Sequence, residues 1–150
     1  MIEACYSYKV VKQVDYFYKE REKRLMPVVR VKDAPIFDLD GFHFHGLTAP
    51  SRGATELCTW RLDIAPGAES EAHQIDHEEV FIVLGGSVTI VTAAETIELH
   101  AGDALSMPAH TQFYLKNEQR ESAHLVVCLP VGIRAIMADG REVGTPPWAQ

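Results

Sequence analysis

The stretch AHQIDHEEVFIVLGG, residues 72–86, carries the side chains of this sequence that are best suited to chemistry. His73 and Glu79 are of the types that hold a divalent metal or exchange protons with a substrate. Ile75 lies between them, at the position where a second histidine would complete a metal site. The stretch therefore leaves three alternatives open: a metal site, a metal site rebuilt from other residues, or an acid–base pair that works without a metal.

The metal-free alternative depends on the surroundings of the polar pair. A carboxyl group in an apolar pocket has a raised pKa, which brings it toward the range useful for a general acid or base. We expect Glu79 to lie in such a pocket, with His73 beside it to hold or share the proton. The pair would suit isomerisation, cyclisation or dehydration of a small organic molecule, or a polar contact that only maintains the fold. The apolar residues expected around the pair are Ile75, Phe81, Val83 and Phe113, with Trp60 and Met107 as further pocket candidates.

Short apolar runs separated by turn residues must position these side chains. Strands are predicted over residues 56–64, 78–84, 87–92, 95–100, 111–117 and 123–132, with a shorter strand within 101–108 and another within 27–41. No helical pattern of consequence lies between these runs, which argues against a parallel βαβ fold. Strands of this length and spacing predict an all-β sandwich or barrel.

The composition bounds the size and the class of the protein. With 150 residues, 47% of them hydrophobic, the chain fits one globular domain with a real core. Its net charge of −7 argues against nucleic acid or an anionic membrane as a partner, because both attract basic surfaces. The three cysteines form no disulfide framework, and no signal peptide or membrane-length apolar run is present. We therefore expect a cytoplasmic protein.

The sequence changes in character at Met26. Before it, residues recur at helical spacing at Val10, Val14, Phe17, Arg21 and Leu25. The alternation CYSYKV in the same region is equally compatible with a strand. Residues 1–25 are therefore predicted to form an extension, either a helix or an arm, and residues 26–150 the β-barrel domain.

Seven residues around the predicted strands follow a known order. They are Gly67, His73, Glu79, Gly86, Gly102, Pro108 and Asn117. Their spacing resembles the two sequence motifs of the cupin superfamily, over about residues 55–130. The stretches LTAPSRGATELCTW and TPPWAQ also resemble small single-domain cupins of actinobacteria.

The resemblance implies a small antiparallel jelly-roll barrel, often dimeric, with one pocket inside. It also implies a divalent metal held by two histidines and a glutamate from the first motif and by a histidine from the second. His73 and Glu79 match two of these four positions, whereas Ile75 and Phe113 occupy the other two. Two ligands rarely hold a transition metal firmly. We therefore expect metal binding to be weak or absent.

Four other histidines are candidates for completing a metal site. His77 has the same parity as the polar pair, but many cupins have an exposed turn at this point. His110 replaces a glycine of the second motif, where a position at the barrel rim explains it as well. His43 and His45 share one face of an extended segment and could bind a metal or form the polar face of a rim strand.

Two classes of function follow from these observations. The first is a cupin-type enzyme that acts on a small organic molecule, either through the polar pair or as a metal-dependent oxygenase with a rebuilt ligand set. The second is a non-catalytic cupin that binds a small molecule as a sensor or accessory protein. We also expect a homodimer, because an open jelly-roll edge must be paired or covered. The N-terminal residues or the tail TPPWAQ could cross to the partner, with Trp148 buried against it.

Overall fold

The computed structural model describes residues 9–12 and 26–150, and in them two antiparallel β-sheets pack face to face. The strands are Lys9–Lys12 (β1), Ile36–Leu39 (β2), Phe42–Gly46 (β3), Leu57–Ile64 (β4), His73–Ile75 (β5), Glu79–Gly85 (β6), Ser87–Thr92 (β7), Thr96–His100 (β8), Ala104–Met107 (β9), Phe113–Lys116 (β10), Ala123–Pro130 (β11), Ala135–Met137 (β12) and Glu142–Gly144 (β13). One sheet has the order β1-β2-β3-β4-β11-β6-β9, and the other has the order β13-β12-β5-β10-β7-β8. The predicted all-β, antiparallel architecture is confirmed.

Alternation along the central strands builds the interior of the barrel. In β4 and β11 every second side chain is buried, because successive residues of a strand point to opposite faces of the sheet. The buried residues of these two strands are Cys58, Trp60, Leu62, Ile64, Ala123, Leu125, Val127 and Leu129. The facing sheet adds Ile90, Phe113 and Leu115 to the same apolar core. The hydrophobic effect on this shared interior holds the two sheets together.

Two residues of the recognised motifs fix turns of the barrel. Gly86 joins β6 to β7 with a φ of +69°, and a Cβ at this position would lie 2.6 Å from the backbone oxygen of Ser122. The buried Asn117 donates from its Nδ2 to the backbone oxygens of Ile64, at 3.0 Å, and of Glu121, at 2.8 Å. Asn117 therefore ties the end of β4 to the loop between β10 and β11.

Three short strands depart from the pattern expected from the sequence. β5 has three residues and pairs with β10 and β12, while β12 also pairs with β13. At the other end of the chain, β1 pairs with β2, so the structure shows a strand at Lys9–Lys12, where the sequence allowed a strand or a helix. The rest of the predicted extension, residues 1–8 and 13–25, lies outside the described residues.

Three single turns of 3-10 helix, Val31–Asp33, Pro50–Arg52 and Pro147–Ala149, complete the described secondary structure. The last turn places Trp148 flat against Phe44, with ring centroids 3.8 Å apart and planes 11° from parallel. The buried Arg52 donates from Nη2 to the backbone oxygen of Trp148 at 2.6 Å. Within this chain Trp148 is thus buried against the barrel, and the expected contact with a partner stays a prediction. Among the described residues, no helix is long and apolar enough to span a membrane.

Candidate functional site

A cavity of about 440 Å³ opens between the two sheets. Strands of both sheets line it, and so does the C-terminal turn that carries Trp148. The lining is mostly apolar, with a few polar residues. Its residues are Leu39, Asp40, Phe42, Phe44, Trp60, Leu62, Glu69, Ser70, Glu71, His73, Ile75, Glu79, Phe81, Phe113, Leu115, Val127, Ile133, Ala135, Met137, Val143, Thr145, Pro146, Pro147 and Trp148. Its volume falls within the range of about 300–1,000 Å³ that is usual for small-molecule sites.

His73 is the first residue of β5 and lines this cavity. Its Nδ1 lies 2.9 Å from the backbone oxygen of Glu71, and because a carbonyl oxygen only accepts, Nδ1 carries the proton. Burial lowers the pKa of His73 below its ordinary value, so the ring is neutral at neutral pH. The ring packs against Phe113, with centroids 4.6 Å apart. Nε2 of a neutral ring protonated at Nδ1 bears a lone pair, which makes it a proton acceptor.

Glu79 is the first residue of β6 and is 4% exposed. Its Oε2 is buried and has no hydrogen-bond partner among the described residues. Desolvation by burial raises the pKa of Glu79 to about 8, because a charged carboxylate is unfavourable in an apolar environment. Glu79 therefore keeps its proton at neutral pH and can act as a proton donor.

The structure brings four of the six expected apolar pocket residues to the cavity. Ile75, Phe81, Phe113 and Trp60 line it together with the polar pair. Val83 and Met107 are buried in the core but lie outside the cavity lining. Their burial follows from strand parity, but the cavity occupies only part of the barrel interior, which parity alone cannot show.

None of the four additional histidines lines the cavity. His77 is exposed after β5 and its Nδ1 lies 2.8 Å from Oδ1 of Asp76. The side chain of His110 is exposed, while its backbone nitrogen donates to the oxygen of Ile75 at 2.8 Å. His43 and His45 pair with carboxylates: His43 Nδ1 lies 2.5 Å from Asp38 and His45 Nε2 lies 3.0 Å from Asp63.

These positions do not suit a firmly held divalent metal. Within residues 9–12 and 26–150, no group of three or more histidine, cysteine, aspartate or glutamate side chains could hold a metal ion. In the cavity His73 and Glu79 are joined by Ile75 and Phe113, whose apolar side chains cannot act as ligands. Asp40, Glu69 and Glu71 also line the cavity, but the described residues bring no three such donors together, and transition-metal sites use three or four.

Several aromatic residues of the cavity were not singled out by the sequence. Phe42 and Phe44 reach it from β3, since they occupy the face opposite to His43 and His45. The alternation FHFH contains this signal, but it does not show which face meets the cavity. Trp148, which the sequence suggested for a partner contact, packs edge-on against Trp60 within this chain, with ring centroids 6.2 Å apart and planes 69° from parallel.

The comparisons with known proteins agree with this fold. Residues 60–129 match the family model for the Cupin domain. The polyketide cyclase RemF from Streptomyces resistomycificus is similar in structure, with a TM-score of 0.65, 18% identity and coverage of 71% of this chain and 80% of that chain. A sugar phosphate isomerase of the cupin superfamily from Silicibacter pomeroyi has a TM-score of 0.56 and 21% identity, over 67% of each chain.

A curated relative is similar in sequence. The 1-hydroxy-2-naphthoate 1,2-dioxygenase of Nocardioides sp. (strain KP7) is 33% identical over 91 residues, covering 55% of this chain and 24% of the relative. The chain thus spans about a quarter of the length of the curated relative it matches. Residues 60–129 of this chain thus match the Cupin domain, and the solved structures share its fold.

Proposed function

We propose that this protein is an enzyme that moves protons on a small organic molecule, with His73 as the base and Glu79 as the acid. One observation carries the proposal: an Nδ1-protonated, neutral imidazole and a protonated carboxyl line the same largely apolar cavity. A base and an acid that are both neutral at working pH can act on a substrate together.

The proposed chemistry is the shift of a proton next to a carbonyl group. His73 Nε2 takes a proton from the carbon beside the carbonyl, and the electrons of that bond form the enol double bond. Glu79 gives its proton to the carbonyl oxygen, so no isolated oxyanion forms. In an isomerisation, His73 Nε2 gives its proton to another carbon of the conjugated enol while the enol O–H returns its proton to Glu79. In a ring closure, the enol carbon attacks a second carbonyl, the enol O–H returns its proton to Glu79, and the proton on His73 Nε2 passes to the oxygen of the attacked carbonyl. In the enol state His73 is a cation and Glu79 an anion, and a low dielectric in the cavity strengthens the attraction between them.

The cupin fold is compatible with reactions of this type. Two of its solved members are named as a polyketide cyclase and a sugar phosphate isomerase. Both are below 25% identity to this chain, so they support the fold and leave the reaction to be tested.

Deuterium exchange tests the proposed proton transfer directly. We would incubate the protein with 1-tetralone in heavy water and follow exchange next to its carbonyl by proton NMR. His73→Gln and Glu79→Gln should each lower the protein-dependent rate by about 100-fold, as is usual for loss of a general acid or base. His77→Gln is the matched control, since His77 is exposed and lies outside the cavity. If His73→Gln exchanges as fast as the unmodified protein, the proposal is wrong.

A metal-dependent oxygenase is a second candidate, because the curated relative in sequence is named as a dioxygenase. It would require ligands beyond His73 and Glu79, which the described residues do not bring together. A metal-retention experiment distinguishes the proton-transfer enzyme from the oxygenase. The protein is equilibrated with ferrous or manganous ion, dialysed against chelator and subjected to elemental analysis. About one equivalent of retained metal would favour the oxygenase. A non-catalytic binding protein would bind a ligand, would catalyse no deuterium exchange and would retain no metal.

A further inference from the structure

The charge of the cavity lining restricts the ligand. Asp40, Glu69 and Glu71 contribute three carboxylates to the lining, Glu79 adds a protonated carboxyl, and no lysine or arginine among the described residues lines it. The nearby cations are already engaged. Arg141 lies 3.8 Å from Oε2 of Glu71 and 3.3 Å from Oδ2 of Asp139, while Arg52 donates to backbone oxygens behind the C-terminal turn. A phosphate or carboxylate entering this cavity would lose its hydration without gaining a positive partner.

The aromatic surface of the cavity favours flat rings. Six aromatic side chains line it: Phe42, Phe44, Trp60, Phe81, Phe113 and Trp148. Several of them are fixed by one another, as in the parallel stack of Phe44 on Trp148 and the edge contact of Phe81 with Phe113 at 5.7 Å. Rings held in this way offer faces and edges to a planar aromatic ligand without further loss of side-chain freedom.

Two buried polar atoms on the lining residues specify the polar groups of the ligand. Trp60 Nε1 and Glu79 Oε2 have no hydrogen-bond partner among the described residues. An unsatisfied buried polar group costs about 1–3 kcal/mol, so a shift of the lining that lets ligand oxygens reach both atoms removes a penalty. The indole N–H can only donate, and it therefore fits a ligand oxygen that accepts.

We propose that the ligand is an uncharged planar aromatic compound that carries keto and hydroxyl oxygens, and not a phosphate ester or a carboxylate. This rests on the proposed function, because it names the substrate class of the same cavity. The proposed ligand class differs from the substrates named for two similar proteins. These are a sugar phosphate, and a naphthoate that carries a carboxylate on the same kind of ring system.

A matched pair of probes tests the preference for an uncharged ligand over a carboxylate. 2-Acetyl-1-naphthol and 1-hydroxy-2-naphthoate share their rings and their hydroxyl group, and differ in having a neutral acetyl group or a carboxylate. Isothermal titration calorimetry at neutral pH and low salt should show the ketone binding at least about tenfold more tightly. Equal or tighter binding of the carboxylate overturns the proposal, and so does the absence of binding of both probes up to about 1 mM.

Two exposed glutamates provide a charge-reversal control. Glu69 lines the cavity, whereas Glu95 lies in the turn between β7 and β8. Glu69→Lys should tighten binding of 1-hydroxy-2-naphthoate several-fold, while Glu95→Lys, with the same change in net charge, should leave it unchanged. If both variants respond equally, the lining does not set the charge preference.

The proposed role of the Trp60 indole N–H as a hydrogen-bond donor to the ligand has a separate test. Trp60→Phe keeps an aromatic ring and removes the N–H donor. It should weaken 2-acetyl-1-naphthol by about three- to tenfold and leave naphthalene, which has no oxygen, within about twofold. An equal loss for both probes would mean that only ring packing has changed, and would contradict the assigned donor role.

These binding tests are independent of turnover. Tight binding of the ketone with no deuterium exchange would retain the ligand class and overturn the proposed function. Exchange catalysed by His73 together with preferred binding of the carboxylate would retain the proposed function and overturn the ligand class.

Discussion

The protonation of Glu79 is controlled by the absence of a charged partner. Burial alone raises its pKa to about 8, whereas the carboxyl of the unfolded chain has a pKa near 4.5. Between these two values the unfolded chain has released the proton and the folded chain still holds it. The protein therefore binds more protons when folded, and its stability falls as the pH rises through this interval.

A glutamine at position 79 should remove this pH dependence. The free energy of unfolding of the unmodified protein, measured against Glu79→Gln by urea denaturation, should fall by about 3–5 kcal/mol between pH 4.5 and pH 8. The direction follows from the raised pKa of the folded state. Parallel stability curves for the two proteins across this interval would contradict it.

The rate of proton transfer should have a plateau around neutral pH. Above about pH 8 Glu79 loses the proton that it donates, and the rate should fall. On the acid side the rate should fall only once His73 is protonated, which burial moves below the ordinary pKa of an imidazole. A deuterium-exchange rate that keeps rising through pH 8 to 9 would exclude Glu79 as the acid.

Restoring two imidazoles should restore a metal site. Ile75 and Phe113 line the cavity beside His73, and Phe113 is paired with it across β5 and β10. The double variant Ile75→His with Phe113→His should bind zinc at least about 100-fold more tightly than the unmodified protein, as judged by competition with a chelating dye. Adding His73→Ala to the double variant should abolish most of the gain. A gain that survives the loss of His73 would place the metal elsewhere.

At the scale of single elements, two turn glycines that both have a positive φ allow the cost of backbone strain to be measured apart from the cost of a steric clash. Gly86 and Gly102 have φ values of +69° and +96°, but only Gly86 has backbone atoms where a Cβ would go. Gly102→Ala should cost about 1–2 kcal/mol from backbone strain. Gly86→Ala should cost about 1–3 kcal/mol more, because the added carbon meets Ser122. Urea denaturation of the pair tests this, and equal losses would mean that the turn relaxes without difficulty.

The elements also show where sequence patterns are informative. β7 lies at the predicted residues 87–92, because an apolar run between two turns needs no distant partner to be recognised. β5, β12 and β13 have three residues each, too few for a periodic signal, and they exist through pairing with residues far along the chain. His73 and Ile75 nevertheless fall on one face, as expected, since both line the cavity.

The cavity itself could be predicted only in part. Sequence reasoning named Ile75, Phe81, Trp60 and Phe113 as pocket candidates, and all four line the cavity. The same reasoning suggested Val83 and Met107, which are buried away from it. The position of Trp148 depends on how the C-terminal turn folds back on β3 and β4, and local sequence does not contain that information.

For the whole molecule, the homodimer expected from the sequence stays a prediction. On β6 the side chains of Ile82 and Leu84 are 38% and 57% exposed, and they lie on the outer face of their sheet. Exposed apolar neighbours of this kind are typical of contact surfaces. Light scattering at micromolar concentration should give a dimer mass, and Ile82→Glu with Leu84→Glu should give a monomer. A monomeric unmodified protein would contradict the expectation.

The placement of the two indoles has a consequence for spectroscopy. The chain contains two tryptophans, and both line the cavity: Trp60 from β4 and Trp148 from the C-terminal turn. All of its indole fluorescence therefore originates at the walls of one small space. A bound aromatic compound would lie close enough to both to quench them or to accept their excitation energy. The tryptophan fluorescence of the protein therefore reports the binding of an aromatic ligand, so a compound library can be screened without a label.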